Sequence, residues 1–306
     1  MVLRSRTAKQ GIRDEVGQRW PTEEHRRGNT RPMPPRDDHP QYQGAIMYPN
    51  PLKQKLRNGE IVLGSGLLSF TPHVAGAIFS TGIDFMWIDT EHLPYATESL
   101  DVIPVLARQA GVAPMIRVAN NDPALIKKAY DVGAVAVMVP QVNTAEEAAR
   151  AVEYARYYPE GKRGISPMWT RIAGQDWNTV IKTANEELVL ILQLESQEAY
   201  DNIDEITAVA GFDVLLVGPL DLSSTLGRIT ETGAPEVQRI MEDVPKRLEG
   251  TGIAAGTTLG DVEEIQEKLR WGYRFMNVGS VVGYGCQVLQ QNLEVLRADP
   301  TGENSA

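Results

Sequence analysis

Leu188-Val-Leu-Ile-Leu-Gln-Leu-Glu195 and Phe212-Asp-Val-Leu-Leu-Val-Gly-Pro219 are near-continuous apolar runs, and each leads to a carboxylate: Glu195 closes the first and Asp221 follows the second. Strands that read as unbroken Val, Leu and Ile are covered on both faces, as in a parallel sheet. The segment between them, 198–210, has helical character, so the stretch reads as one strand–helix–strand unit. Further apolar runs lie at 61–68, 85–89, 114–118, 134–140, 253–257 and 275–279, with helical segments at 99–111, 123–132, 144–157, 235–248 and 261–271. Eight such units in about 250 residues predict an α/β fold, a (β/α)8 TIM-type barrel. An open doubly wound sheet is the competing arrangement. Gly64-Ser-Gly66 lacks the third glycine of a dinucleotide fingerprint, which argues against a nicotinamide cofactor.

The chain has 306 residues and a net charge of -10. That balance argues against nucleic acid and anionic membrane surfaces as partners and favours a small molecule. The single cysteine, Cys286, cannot form an intrachain disulfide, and no apolar run reaches the length of a membrane span. A cytoplasmic protein is expected. Residues 1–46 carry nine Lys and Arg against six Asp and Glu, four prolines from Pro32 to Pro40 and few aliphatic side chains. They read as a disordered extension, leaving 47–306 as a single barrel domain.

In such a barrel the active site gathers at the carboxyl ends of the strands. Asp89-Thr-Glu-His92 ends the second strand, Arg117 lies in the third, the fourth runs into Gln141, the fifth ends at Gln193-Leu-Glu195 and the sixth leads to Asp221. A buried arginine needs an anion, and His92 is the only histidine at a strand end. Each acid could simply cap the following helix. Together they suit a hard divalent ion completed by water and substrate oxygens, Mg²⁺ or Mn²⁺, rather than zinc in a histidine or cysteine cage. The strand runs contain no lysine for Schiff-base chemistry. The long connection 158–187, carrying Arg163, Gly164, Trp169, Arg171 and Trp177, has the length of a functional loop, although its tryptophans could equally pack it down.

Ile88-Asp-Thr-Glu-His92, Ile116-Arg-Val-Ala-Asn-Asn-Asp-Pro123, Val137-Met-Val-Pro140, Pro159-Glu-Gly-Lys-Arg-Gly164, Gln193-Leu-Glu195 and Val217-Gly-Pro-Leu-Asp-Leu-Ser223 together resemble the HpcH/HpaI aldolase/citrate lyase family over about residues 48–290. The resemblance implies a barrel of the phosphoenolpyruvate/pyruvate type, assembled as a homohexamer through exchange of the last helix. It implies a class II aldolase that cleaves a 4-hydroxy-2-oxo acid to pyruvate and an aldehyde with a divalent metal, Mg²⁺ or Mn²⁺, with Co²⁺ as a further option.

On that resemblance Glu195 and Asp221 hold the metal and Gln193 lies beside pyruvate. Backbone N–H groups around Gly218, Pro219 and Leu220 take its carboxylate, and Arg117 contacts the 2-oxo oxygen. Asp89 positions the arginine, and His92, supported by Asp131, is the acid/base. Decarboxylation of oxaloacetate through the same enolate is the first alternative, and a non-catalytic oligomeric barrel the second. Thr90 stands where the family often has glycine, Leu220 where alanine is usual, and Val281 where many members have aspartate.

Overall fold

The computed structural model describes residues 50–298 apart from Asp101, and the expected extension 1–46 lies outside them. Eight parallel strands close into a barrel in chain order: β1 (Val62–Leu67), β2 (Phe85–Asp89), β3 (Ala113–Arg117), β4 (Ala136–Val139), β5 (Val189–Leu194), β6 (Val214–Val217), β7 (Ala254–Thr258) and β8 (Phe275–Ser280). β8 returns to pair with β1, so no edge is left open. Every predicted run became a strand. The expected helix 198–210 is two short ones, Gln197–Asp201 and Ile203–Thr207, which share Asn202 as a cap.

Alternation along each strand sorts its side chains into two sets. One set points outward under the helices and forms the larger core, with Met86, Ile88, Ile116, Val137, Leu192, Leu215 and Met276. The other fills the barrel: Val62, Phe85, Met115, Met138, Ile191, Leu216 and Phe275, with Leu52 of the helix Pro51–Arg57 packed into the same cluster. Continuing the inward parity towards the carboxyl ends gives Asp89, Arg117, Gln193, Glu195, Gly218, Thr258 and Asn277. The polar mouth therefore follows from strand register alone.

Gly64, half of the discarded Gly-x-Gly, has a packing role. The Phe85 ring stacks on Phe275 at 4.2 Å between centroids, and a β-carbon at Gly64 would lie 2.3–2.4 Å from three Phe85 ring atoms. Both rings are fully buried and cannot swing away. Gly64→Ala is expected to destabilise the barrel by about 1–3 kcal/mol through overpacking. A thermal melt checks this, and an unchanged midpoint would contradict it.

The connection 158–187 contains two helices, Trp169–Ala173 and Trp177–Glu187. Trp169 lies beneath the Arg108 guanidinium, 3.9 Å away, and packs with Val105, Ala173 and Val180. Arg163 is held between the Tyr130 and Tyr157 rings. Among the described residues, this segment lines none of the mouth cavity. Trp169 packs the segment onto the outer layer, as the packing alternative anticipated, whereas Trp177 is only half-buried and Tyr158 is exposed. The last helix, Val281–Ala298, buries none of its residues.

Candidate active site

The carboxyl ends of the strands surround a cavity of about 590 Å³ lined by Asp89, His92, Arg117, Gln193, Gly218, Pro219, Leu220 and Asp221 among others. Arg117, at the end of β3, is clamped from two sides. Its Nε and Nη2 donate to Asp89 Oδ1 and Oδ2 at 3.0 and 2.7 Å, and its Nη1 lies 3.0 Å from Glu91 Oε2. Burial pushes the Asp89 carboxyl up, but the hydrogen bonds and charge of Arg117 outweigh it and hold the group below its ordinary value. Glu91 is different: burial dominates there, and its carboxyl is raised despite the guanidinium.

Glu91, inside the Asp89-Thr-Glu-His92 motif but without a role read from the sequence, has its Oε2 3.6 Å from His92 Nε2. Glu91 is thus the carboxylate beside His92. Asp131 is not brought there within the protomer. It ends the helix Pro123–Asp131, which runs from the carboxyl end of β3 back to the start of β4 and so finishes at the opposite end of the barrel. Burial raises its carboxyl to about 6, with Arg163 and Lys127 as the opposing charges.

Glu195 is 4 % exposed. Its Oε1 accepts the Gln141 backbone N–H at 2.8 Å, and its Oε2 accepts from Gln193 Nε2. Gln141 reaches it through a left-handed backbone, φ 52°, so the main chain rather than the side chain makes the contact. Burial first, and then the charge of Asp221, push the Glu195 carboxyl up to about 7. Asp221 lies in the first turn of the helix Pro219–Thr225.

Gly218 is where these parts touch. A β-carbon there would lie 2.9 Å from both Gln193 Nε2 and Glu195 Oε2 and 3.1 Å from Glu195 Cβ. Gly218→Ala is expected to displace both side chains and weaken divalent-ion binding about 10-fold or more, comparable to loss of a supporting contact around a metal. Isothermal titration of the ion into the folded variant measures this; wild-type affinity would show that the contact is unimportant. The Gly218 N–H donates to Leu194 O, and Pro219 has none. Of the backbone donors expected around 218–220, the structure leaves the Leu220 N–H, with Asp221 beside it in the first helical turn.

The donor set can be tested against a metal. Among the described residues, no three His, Cys, Asp or Glu side chains cluster as a cage. Two carboxylates converge, one with its pKa raised by the other, and Gln193 Oε1 beside them is buried without a partner. Each carboxylate oxygen of Glu195 keeps a lone pair after its hydrogen bond. A hard cation that takes its other ligands from water and substrate fits this set.

The model of the HpcH/HpaI aldolase/citrate lyase family matches residues 67–284. The chain belongs to that family. It is 36% identical over 257 residues to the 2-keto-3-deoxy-L-rhamnonate aldolase of Escherichia coli K12, covering 83% of this chain and 95% of the relative. A family protein from Burkholderia cenocepacia J2315 superposes with a TM-score of 0.76 at 32% identity, covering 81% of this chain and 99% of that one. Macrophomate synthase shares the fold, with a TM-score of 0.70 at 24% identity over 83% and 91% of the two chains. Family membership makes the protein an enzyme of the aldolase and lyase type. No helix among the described residues is long and apolar enough to cross a membrane.

One departure from the family pattern has a structural reason. Thr90 Oγ1 donates to Arg117 O at 2.7 Å, and its N–H donates to the same oxygen at 3.0 Å, fastening the end of β2 to that of β3.

Proposed function

We propose that the enzyme cleaves and forms 4-hydroxy-2-oxo acids, giving pyruvate and an aldehyde through a pyruvate enolate. The observation that carries this reading is a doubly clamped arginine sharing one mouth with two crowded carboxylates. Glu195 and Asp221 would hold a divalent ion, Mg²⁺ or Mn²⁺. When bound, that ion supplies positive charge where the 2-oxo oxygen becomes an enolate oxygen.

Arg117, pre-set by Asp89 and Glu91, presents fixed charge to the same oxygen at no cost of reorganisation. Gln193 and the Leu220 N–H orient the pyruvate half. His92, with a largely exposed ring beside Glu91, takes the C4 hydroxyl proton. The C4–O bond then becomes a carbonyl while the C3–C4 pair moves into the enolate, and a proton delivered to C3 completes pyruvate.

Oxaloacetate decarboxylation would use the same arginine and carboxylates but no C4 hydroxyl. His92→Ala separates the two. Cleavage of a 4-hydroxy-2-oxo acid should fall about 10²- to 10⁴-fold, while oxaloacetate decarboxylation by the same variant falls far less. Equal losses would remove His92 from this role.

The assembly we propose is a homohexamer. The last helix carries Val282, Cys286, Leu289, Leu293 and Leu296 at helical spacing, all exposed. A stripe of that length is an interaction surface, and exchange of this helix between subunits would cover it.

A further inference from the structure

The backbone donor that reaches Glu195 belongs to a residue in a conformation it would not adopt by itself. Gln141 aims its N–H at Glu195 Oε1 from φ 52°, a region that is costly for any residue with a β-carbon. Its own side chain is exposed and, among the described residues, makes no hydrogen bond that could hold it there. The restraint must come from the chain that follows.

Two residues on, Asn143 is tied at every polar group it has. Its N–H donates to Glu147 Oε2 at 2.8 Å, and its carbonyl accepts from Asn202 Nδ2 at 2.9 Å. Its Oδ1 accepts from Ser196 Oγ, and its Nδ2 donates to Gln141 O at 3.3 Å. Ser196 Oγ itself accepts the Ala199 N–H at 3.0 Å as the cap of the helix Gln197–Asp201, so its proton is available to Asn143. These partners fix which way the amide faces. Turned over, its oxygen would meet the Gln141 carbonyl, which has no proton to give.

Ser196 directly follows Glu195 in the chain. The loop after β4 is therefore stitched to the end of β5 at three points: the Gln141 N–H on Glu195, the Val142 N–H on Gln193 O at 3.2 Å, and Asn143 Oδ1 on Ser196. Asn143 itself does not line the mouth cavity.

We infer that Asn143 is a positioning residue for the ion site, holding the Gln141 peptide left-handed so that its N–H orients the Glu195 carboxylate. This rests on the reading that Glu195 holds the ion. The N–H occupies one lone pair of Oε1 and leaves the other outward, so a peptide that relaxes to a negative φ withdraws the donor and frees the carboxylate to turn. Groups that orient a metal ligand without touching the metal set its affinity.

The test is titration of Mg²⁺ or Mn²⁺ into full-length protein, as wild type, Asn143→Ala, the double variant Gln141→Gly with Asn143→Ala, and Thr144→Ala. Thr144 caps the helix Ala145–Ala155 through the Glu147 N–H at 3.2 Å, so its loss loosens the same region without releasing Gln141. Asn143→Ala should weaken ion binding about 10-fold. Glycine at 141 adopts a positive φ without penalty and should recover most of that loss. Thr144→Ala should bind as wild type does. In the ion-free protein, hydrogen exchange at the Gln141 amide should quicken about 10-fold in Asn143→Ala, the scale of one weakened hydrogen bond. Should the alanine variant not fold, Ser196→Ala, which removes the anchor of Asn143 together with a helix cap, is read in the same way against Thr144→Ala.

Wild-type affinity in Asn143→Ala, no recovery in the double variant, an equal loss in Thr144→Ala, or unchanged exchange at Gln141 would overturn the inference. Each of those results leaves Glu195 as the ion's ligand. A wild type that binds neither Mg²⁺ nor Mn²⁺ overturns that reading, and the inference with it.

Discussion

Glu195→Gln is expected to abolish divalent-ion binding and turnover together while the barrel stays folded. The substitution keeps the shape that accepts the Gln141 N–H and neutralises the better buried of the two converging acids. Changing a group that merely supports a metal ligand costs 10–100-fold in affinity, so loss of the ligand charge should cost at least about 100-fold. Stability should move the other way. In the ion-free protein Glu195 is buried near Asp221, and its carboxyl is pushed up to about 7, so the folded state disfavours the charge that glutamine removes. The melting temperature of the ion-free variant should equal or exceed that of ion-free wild type, whereas added Mg²⁺ or Mn²⁺ should stabilise only wild type. A variant that still binds the ion normally would place the metal elsewhere.

Arg117→Lys is the second substitution with a large expected effect. Lysine retains the charge, but it cannot donate two parallel hydrogen bonds to Asp89 while also reaching Glu91. The cation would no longer be fixed where charge develops. Loss of a pre-set donor at such an oxygen typically costs about 10²- to 10³-fold in rate, and kcat should fall by that amount. Ion affinity, measured by titration, should change little, because Glu195 and Asp221 do not depend on the guanidinium for their placement. A lysine variant with the wild-type rate would reduce Arg117 to an internal ion-pair partner.

The barrel was readable from the sequence because each strand is buried on both faces and therefore had to be apolar almost without interruption. The same regularity made the mouth readable: residues two apart along β2, β3, β5, β7 and β8 share the inward face, and the polar ones gather at the carboxyl ends. What was missed lies where the main chain leaves that regularity. The Gln141 N–H reaches Glu195 only because the residue adopts a positive φ, which a glutamine gives no reason to expect. Glu91 follows the end of β2, where alternation no longer says which way a side chain turns, and its contact with Arg117 is a property of that bend. The place of Asp131 was available from topology, since the end of a helix that leads into the next strand lies at the amino-terminal face of a barrel. The segment 158–187 had the length of a loop but enough apolar side chains, Trp169, Ala173, Val180 and Ala184, to pack as helices.

Whether this mouth makes a pyruvate enolate, as proposed, can be tested without knowing the aldehyde. Pyruvate is incubated with metal-loaded wild-type enzyme in deuterium oxide, and loss of its methyl proton signal is followed by NMR. The predicted result is exchange that requires Mg²⁺ or Mn²⁺, stops on chelation, and falls about 10²- to 10³-fold in Arg117→Lys. A protein that binds both the ion and pyruvate yet leaves the methyl protons in place would contradict the claim, as would full exchange by chelator-treated enzyme.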